Sequence, residues 1–181
     1  MQLADNALTT LEEVKSQLEI NDGSLDNKII RAINVASDRI ERMCRRSFGL
    51  QNYVYQVKEP ARMVFLPNLP VVEILSINDS PATDVDFDSE SGMIQKWFCS
   101  GAVIRYRAGY VLPKDATDTN KRTLPYDIEE ACIRLVSYMV KETEGVGMKL
   151  GDFSIEIEAK EEASMLEEIR GLLEPYRMIR I

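Results

Sequence analysis

The chain has no histidine among its 181 residues. Imidazole is the commonest general base near neutral pH and the commonest metal-binding side chain, so the usual nucleophilic triads and zinc sites lose their best member. That lowers the prospect of an enzyme without removing it. Cysteine is scarce as well. Cys44, Cys99 and Cys132 are odd in number and far apart, and they make no CxxC. Buried free thiols are the expectation, rather than a disulfide or a metal site. No apolar run approaches the roughly 18 residues of a membrane span. The opening MQLADNALTT lacks a basic segment followed by an apolar core, so no signal peptide is expected and an intracellular setting is the default. The glycines at 145, 147 and 151 lack the Lys-Ser/Thr that follows a phosphate-cradling loop, and they read as a hinge.

Positive charge is in deficit: 22 Lys and Arg stand against 30 Asp and Glu, a net charge of −8 and a pI of about 4.8. Nucleic-acid binding works by neutralising phosphates. A globally acidic chain does this poorly unless its cations are concentrated locally.

Such a concentration exists. Ser24 to Phe48 reads as one long helix with Ser24 as its N-cap. At about 100° per residue, Ile29, Ile33, Ala36, Ile40, Met43 and Cys44 fall on one face. Lys28, Arg31, Arg39, Arg42 and Arg46 fall on another. The first face is a core seam and the second a basic stripe. Upstream, Thr10-Leu11-Glu12-Glu13 is a capping box opening a short helix. The helix–turn–helix look of 10–46 invites a DNA-binding reading, but the start of its second helix offers Leu25, Asp26, Asn27 and Lys28. Two antiparallel packed helices account for the pattern better.

After Gly49 the pattern alternates. Tyr53, Tyr55 and Val57 alternate with Val54, Gln56 and Lys58, and short β-rich stretches follow at 62–66, 71–77, 85–87, 93–98 and 102–106, divided by turn signals. Tight links predict an antiparallel meander. Residues 114–123 read as a loop. Leu124-Pro125-Tyr126-Asp127 starts a further helix with Ile128, Ala131, Cys132, Leu135, Tyr138 and Met139 on its apolar face. Phe153, Ile155 and Ile157 alternate with Ser154, Glu156 and Glu158, which predicts a short strand. Glu161 to Leu173 predicts a terminal helix, closed by Pro175-Tyr176. From Asp152 to Glu168 there are seven acids and one lysine.

Three readings of the basic stripe stay open: a solvated face with local ion pairs, nucleic-acid contact, and pairing with acids within or between subunits. In the last, Arg39, Arg42 and Arg46 face Glu156, Glu158 or Glu162. Asp84, Asp86, Asp88 and Glu90 suggest calcium by their alternation, but the EF-hand pattern is missing, and an exposed strand edge and turn fits better. Ser154 and Cys132 have no partner base. No catalytic residue, cofactor or metal is expected.

The order of these elements resembles the head–tail connector (adaptor) family of tailed phages and prophages. The resemblance is carried by LTTLEEVKSQLEINDGSLDNKIIRAINVASDRIERMCRRSF, by PNLPVVEILSI, by VIRYRAGY followed by Leu124-Pro125, and by LGDFSIEI and LLEPYR. The loop at 114–123 is longer than the family's usual one. The resemblance implies a non-enzymatic virion protein at the head–tail interface, assembled in the host cytoplasm. It implies a ring, dodecameric on the portal, which receives a stopper or tail-completion protein below and lets DNA pass through its lumen without sequence-specific binding. No membrane is involved.

The expected fold is α+β: an N-terminal helix pair and a later long helix packed with a small antiparallel sheet, plus a C-terminal strand–helix arm. Residues 1–144 form the connector core and 145–181 the assembly arm. The expected interface comprises Arg39, Arg42, Arg46, Phe153, Ile155, Glu156, Ile157, Glu158, Glu162 and Tyr176. The alternative is a DNA-binding accessory protein that uses the basic face of 24–48.

Overall fold

The computed structural model describes residues 1–83, 85–144 and 152–178, with side chains outside 142–161. The chain divides into two compact units, 1–46 with 112–181 and 47–111.

The first unit is helical. Helix α1 (Leu11–Gln17) starts where the capping box predicts, with the Thr10 hydroxyl accepting the Glu13 N–H at 3.2 Å. Helix α2 (Asp26–Cys44) is shorter than the 24–48 expected. Ser24 does not cap it. Its N–H and hydroxyl both donate to Asp22 Oδ1, at 2.8 and 2.5 Å, so the serine closes the preceding turn instead. These bonds hold the Asp22 carboxyl below its usual range. The seam of α2 is buried as its periodicity requires, at Ile29, Ile33, Ala36, Ile40 and Cys44. Helix α3 (Tyr126–Glu144) buries Ile128, Ala131, Cys132 and Leu135. Lys15 of α1 bridges to Asp26 of α2 at 2.7 Å. Between α2 and α3, the buried Ser37 hydroxyl accepts the Leu8 N–H at 3.1 Å and lies 3.7 Å from Cys132 Sγ.

Helix α4 (Asp152–Leu173) corrects one expectation. Phe153, Ile155 and Ile157 lie in a helix, not in a strand. Three alternating apolar residues are ambiguous, because Phe153 and Ile157 are also four apart and share a helical face. The segment continues into Glu, Ala and Lys, good helix formers, and a strand would need a sheet edge to join. The glycine link expected as a hinge, 145–151, lies outside the described residues. The far end of α4 belongs to the helical unit, where Ile169 and Leu173 are buried.

The second unit is a sheet. Strands β1 (Gln51–Gln56), β3 (Val71–Ile77), β4 (Ser80–Pro81) and β6 (Val103–Ala108) pair antiparallel in the order β1-β6-β3-β4. Strands β2 (Val64–Phe65) and β5 (Met93–Ile94) form a separate antiparallel pair. Pairing is antiparallel as expected, but the sheet is not a meander: β6, the last strand, sits in the middle. Alternation defines a strand's two faces and leaves its neighbour open. On β6, Ile104, Tyr106 and Ala108 point inward while Arg105 and Arg107 are exposed. Tyr53 of β1 packs on Tyr106 with ring centroids 5.6 Å apart. The buried Tyr106 hydroxyl accepts from Asn68 Nδ2 at 2.9 Å, and burial raises its pKa. Asn78 and Asp79, both at positive φ (49° and 61°), make the two-residue turn between β3 and β4.

The Ala108-Gly109-Tyr110 turn has a steric cause. Gly109 has φ 112°, and a Cβ there would lie 2.4 Å from the Gly49 carbonyl oxygen. Glycine lets the chain approach closely enough for Tyr110 N–H to donate to Phe48 O at 2.7 Å and Gly109 N–H to Pro70 O at 2.9 Å.

Candidate assembly interface

Helix α2 ends in a Schellman motif. The Arg46 N–H donates to Glu41 O at 3.2 Å and the Arg45 N–H to Arg42 O at 3.3 Å, with Arg45 left-handed at φ 56°. Glycine usually occupies such a position. The C-terminal segment then completes the helix end, as the Met178 N–H donates to the Cys44 carbonyl at 2.9 Å. Before it, a 3-10 turn at Glu174–Tyr176 carries two anchors. The Tyr176 hydroxyl donates to Asp127 Oδ2 at 3.4 Å, and Arg177 bridges to Glu174 at 2.9 Å.

This return brings the ends of α2 and α4 together. A cleft of about 520 Å³ is lined by Arg42, Met43, Arg45, Arg170, Leu173 and Arg177. All four arginines are exposed. Arg42 Nε donates to the Asp38 carbonyl at 3.2 Å. Among the described residues, Arg45 and Arg170 make no ion pair. Nearby, burial pushes the Cys44 thiol up to about 11, against the opposing pull of Arg46 and Arg177.

Of the expected interface arginines, Arg39 is half-buried on α2, Arg42 exposed on it, and Arg46 half-buried just past its end. Phe153, Ile155, Glu156, Ile157 and Glu158 lie on the first turns of α4, with side chains outside those described. Glu162 is half-buried on the same helix. One acid of the arm does meet an arginine within the chain, although the arginine belongs to α3: Arg134 binds Glu168 at 2.9 Å and Glu130 at 2.7 Å. These contacts raise the Arg134 pKa, with the Glu130 hydrogen bond the largest cause. Arg45, Arg170 and Arg177 went unrecognised in the sequence. Arg45 stands outside the stripe's spacing, and nothing in the chain order links 170 or 177 to 42.

Elsewhere, Asp88 of the acidic turn is engaged by the Ser91 N–H and hydroxyl at 2.7 and 2.8 Å, which lower its pKa. It therefore closes a turn. Asp84 lies outside the described residues, among which no group of acids or cysteines is arranged to hold a metal. Cys44 and Cys132 are buried as expected; Cys99 is exposed, contrary to expectation, because it sits in the loop between β5 and β6. Among the described residues no helix is long and apolar enough to cross a membrane.

A family model described as head completion protein matches residues 7–179. No curated protein matches the chain. Among solved structures, the chain is similar to one in the neck of an empty gene transfer agent particle with C6 symmetry, at TM-score 0.59 and 16% identity, covering 100% of this chain and 94% of the other. A chain in the neck of the native particle with C12 symmetry is similar at TM-score 0.54, and one in the native virion at 0.58, each at 16% identity with the same coverage. At that identity the likeness bears on the fold.

Proposed function

The chain belongs to the head completion protein family, and from that premise we propose that it is a structural head–tail connector, closing a ring below the portal of a tailed phage or prophage. The family match carries this reading, since residues 7–179 include both compact units. The necks that contain similar folds were computed with C6 and C12 symmetry, which supports a ring here, dodecameric on the portal. The ring docks on the portal above and receives a stopper or tail-completion protein below. Its work is geometric rather than catalytic. The net charge of −8 favours a lumen along which DNA slides rather than adheres.

The subunit and portal contacts are drawn from Arg39, Arg42 and Arg46 on one side. Phe153, Ile155, Glu156, Ile157, Glu158 and Glu162 of the arm, with Tyr176, supply the other. Residues 145–181 serve as the assembly arm. Electron microscopy of the purified protein, alone and mixed with portal, tests the reading: rings seated on portals are expected. Failure to bind portal in any form would refute it. Reversing Arg42 and Arg46 to Glu is expected to impair ring assembly, and normal assembly would remove those arginines from the interface.

A further inference from the structure

The arm brings Arg170 and Arg177 to the basic end of α2, with one acid, Glu174, which Arg177 engages. Arg42, Arg45, Arg170 and Arg177 line one cleft, and of these Arg177 has Glu174 while Arg45 and Arg170 make no ion pair among the described residues. Two helix C-termini converge there, and each favours a cation nearby. That accounts for some positive charge, but not for Arg45, which occupies a left-handed position where glycine is preferred.

Of the acids of the same chain, Glu174 reaches this cleft and pairs with Arg177; those of the first turns of α4 do not. Along a helix rising about 1.5 Å per residue, Glu156 and Glu158 stand about 21 Å and about 18 Å from Arg170. Glu168 is already engaged by Arg134. The chain therefore carries an anion-accepting cleft at one end of α4 and Glu156 and Glu158 toward the other, too far apart to meet within one molecule.

Resting on the connector reading, we propose that this cleft receives the acidic segment 152–168 of an adjacent copy. Such a contact is head-to-tail, joining different surfaces on the two copies. Contacts of that kind propagate from subunit to subunit and close into rings when the rotation allows. Charge complementarity selects the occupant: the segment carries seven acids and one lysine. The double variant Arg45→Glu/Arg170→Glu should keep its fold, because both positions are exposed and Glu19 already takes the left-handed conformation at the end of α1.

The test titrates a labelled peptide of residues 152–168 with the full-length chain, read by fluorescence anisotropy at low and high salt. The parent is expected to bind it in a salt-sensitive way. The double variant, matched to the parent by circular dichroism, is expected to bind at least tenfold more weakly. Absent binding to the parent, or equal binding to both, overturns the proposal. So does binding of a short DNA duplex in place of the peptide, which would make the cleft a phosphate site. A charge exchange gives a second reading. Arg45→Glu/Arg170→Glu chains and Glu156→Arg/Glu158→Arg chains should each fail to associate alone yet associate when mixed, because alternating copies restore every contact. Parental association by each variant alone overturns the proposal. If the parent binds the peptide but never joins a portal, the connector reading fails and the cleft assignment stands.

Discussion

The guanidinium of Arg122 meets the buried carboxylate of Glu129, and its carbon lies 4.2 Å from the centre of the Tyr126 ring. The same group donates to Leu124 O at 3.0 Å, while the Thr9 hydroxyl donates to the other Glu129 oxygen at 3.2 Å. The stretch 114–123, expected as a loop, is thus tied to the first turn of α3 at its far end. Removing the carboxylate leaves a partly buried cation without its counter-ion and a buried hydroxyl without its acceptor. Glu129→Ala is expected to lower the unfolding free energy by about 2–3 kcal/mol, allowing for the partial exposure of Arg122. Glu129→Gln should cost less, because its amide oxygen still accepts from Thr9. Urea denaturation of the two variants checks the order; equal losses would show that the charge, not the hydrogen bonding, is what matters.

Arg45 holds a backbone conformation that glycine adopts without strain. Arg45→Gly is expected to raise stability by about 0.5–1 kcal/mol, relief of the left-handed strain exceeding the added flexibility of the unfolded chain. The same variant should bind the 152–168 peptide more weakly. A stabilised protein with undiminished binding would detach Arg45 from the cleft's role.

Gly109 offers the opposite case. A methyl group there meets the backbone of Gly49 at 2.4 Å, which no rotamer change can relieve. Gly109→Ala is expected to destabilise the sheet unit by more than about 2 kcal/mol, seen as a lower melting temperature. An unchanged melting temperature would mean that the 48–50 and 109–110 segments can separate freely.

The thiols report on packing. Cys99 is exposed, whereas burial pushes Cys44 up to about 11 and Cys132 up to about 12, from an ordinary value of 9.0. An aromatic disulfide reagent at neutral pH should therefore react quickly with one thiol, lost in Cys99→Ser, and with the other two only on unfolding. The same shifts set an alkaline limit. Below the unfolded thiol pKa both states are protonated and the stability is fully present. As pH rises from about 9 toward 11 and 12, the unfolded chain ionises first and binds fewer protons than the native one, so stability falls. Denaturation midpoints across that window check it, and a midpoint that rises would reverse the assignment.

What is local in this protein can be read from its residues in order. The apolar spacing of α2 and α3, the Thr10 cap and the alternation on β1 and β6 follow from side-chain periodicity and short-range hydrogen bonding, and those are properties of neighbouring residues. The order of motifs was also enough to indicate the family, which the match over 7–179 shows. Pairings between distant residues were out of reach. Nothing in the alternation of β6 says that it lies between β1 and β3, and three alternating apolar residues could not separate a strand from the start of α4. The basic face of α2 was visible as a stripe, with acids of the arm as its expected partners. Folding joined that helix end to Arg170 and Arg177 through the Met178–Cys44 hydrogen bond. A helix end left with free carbonyls draws in whatever segment the packing of Ile169 and Leu173 delivers, and here that segment adds two arginines against one acid, Glu174.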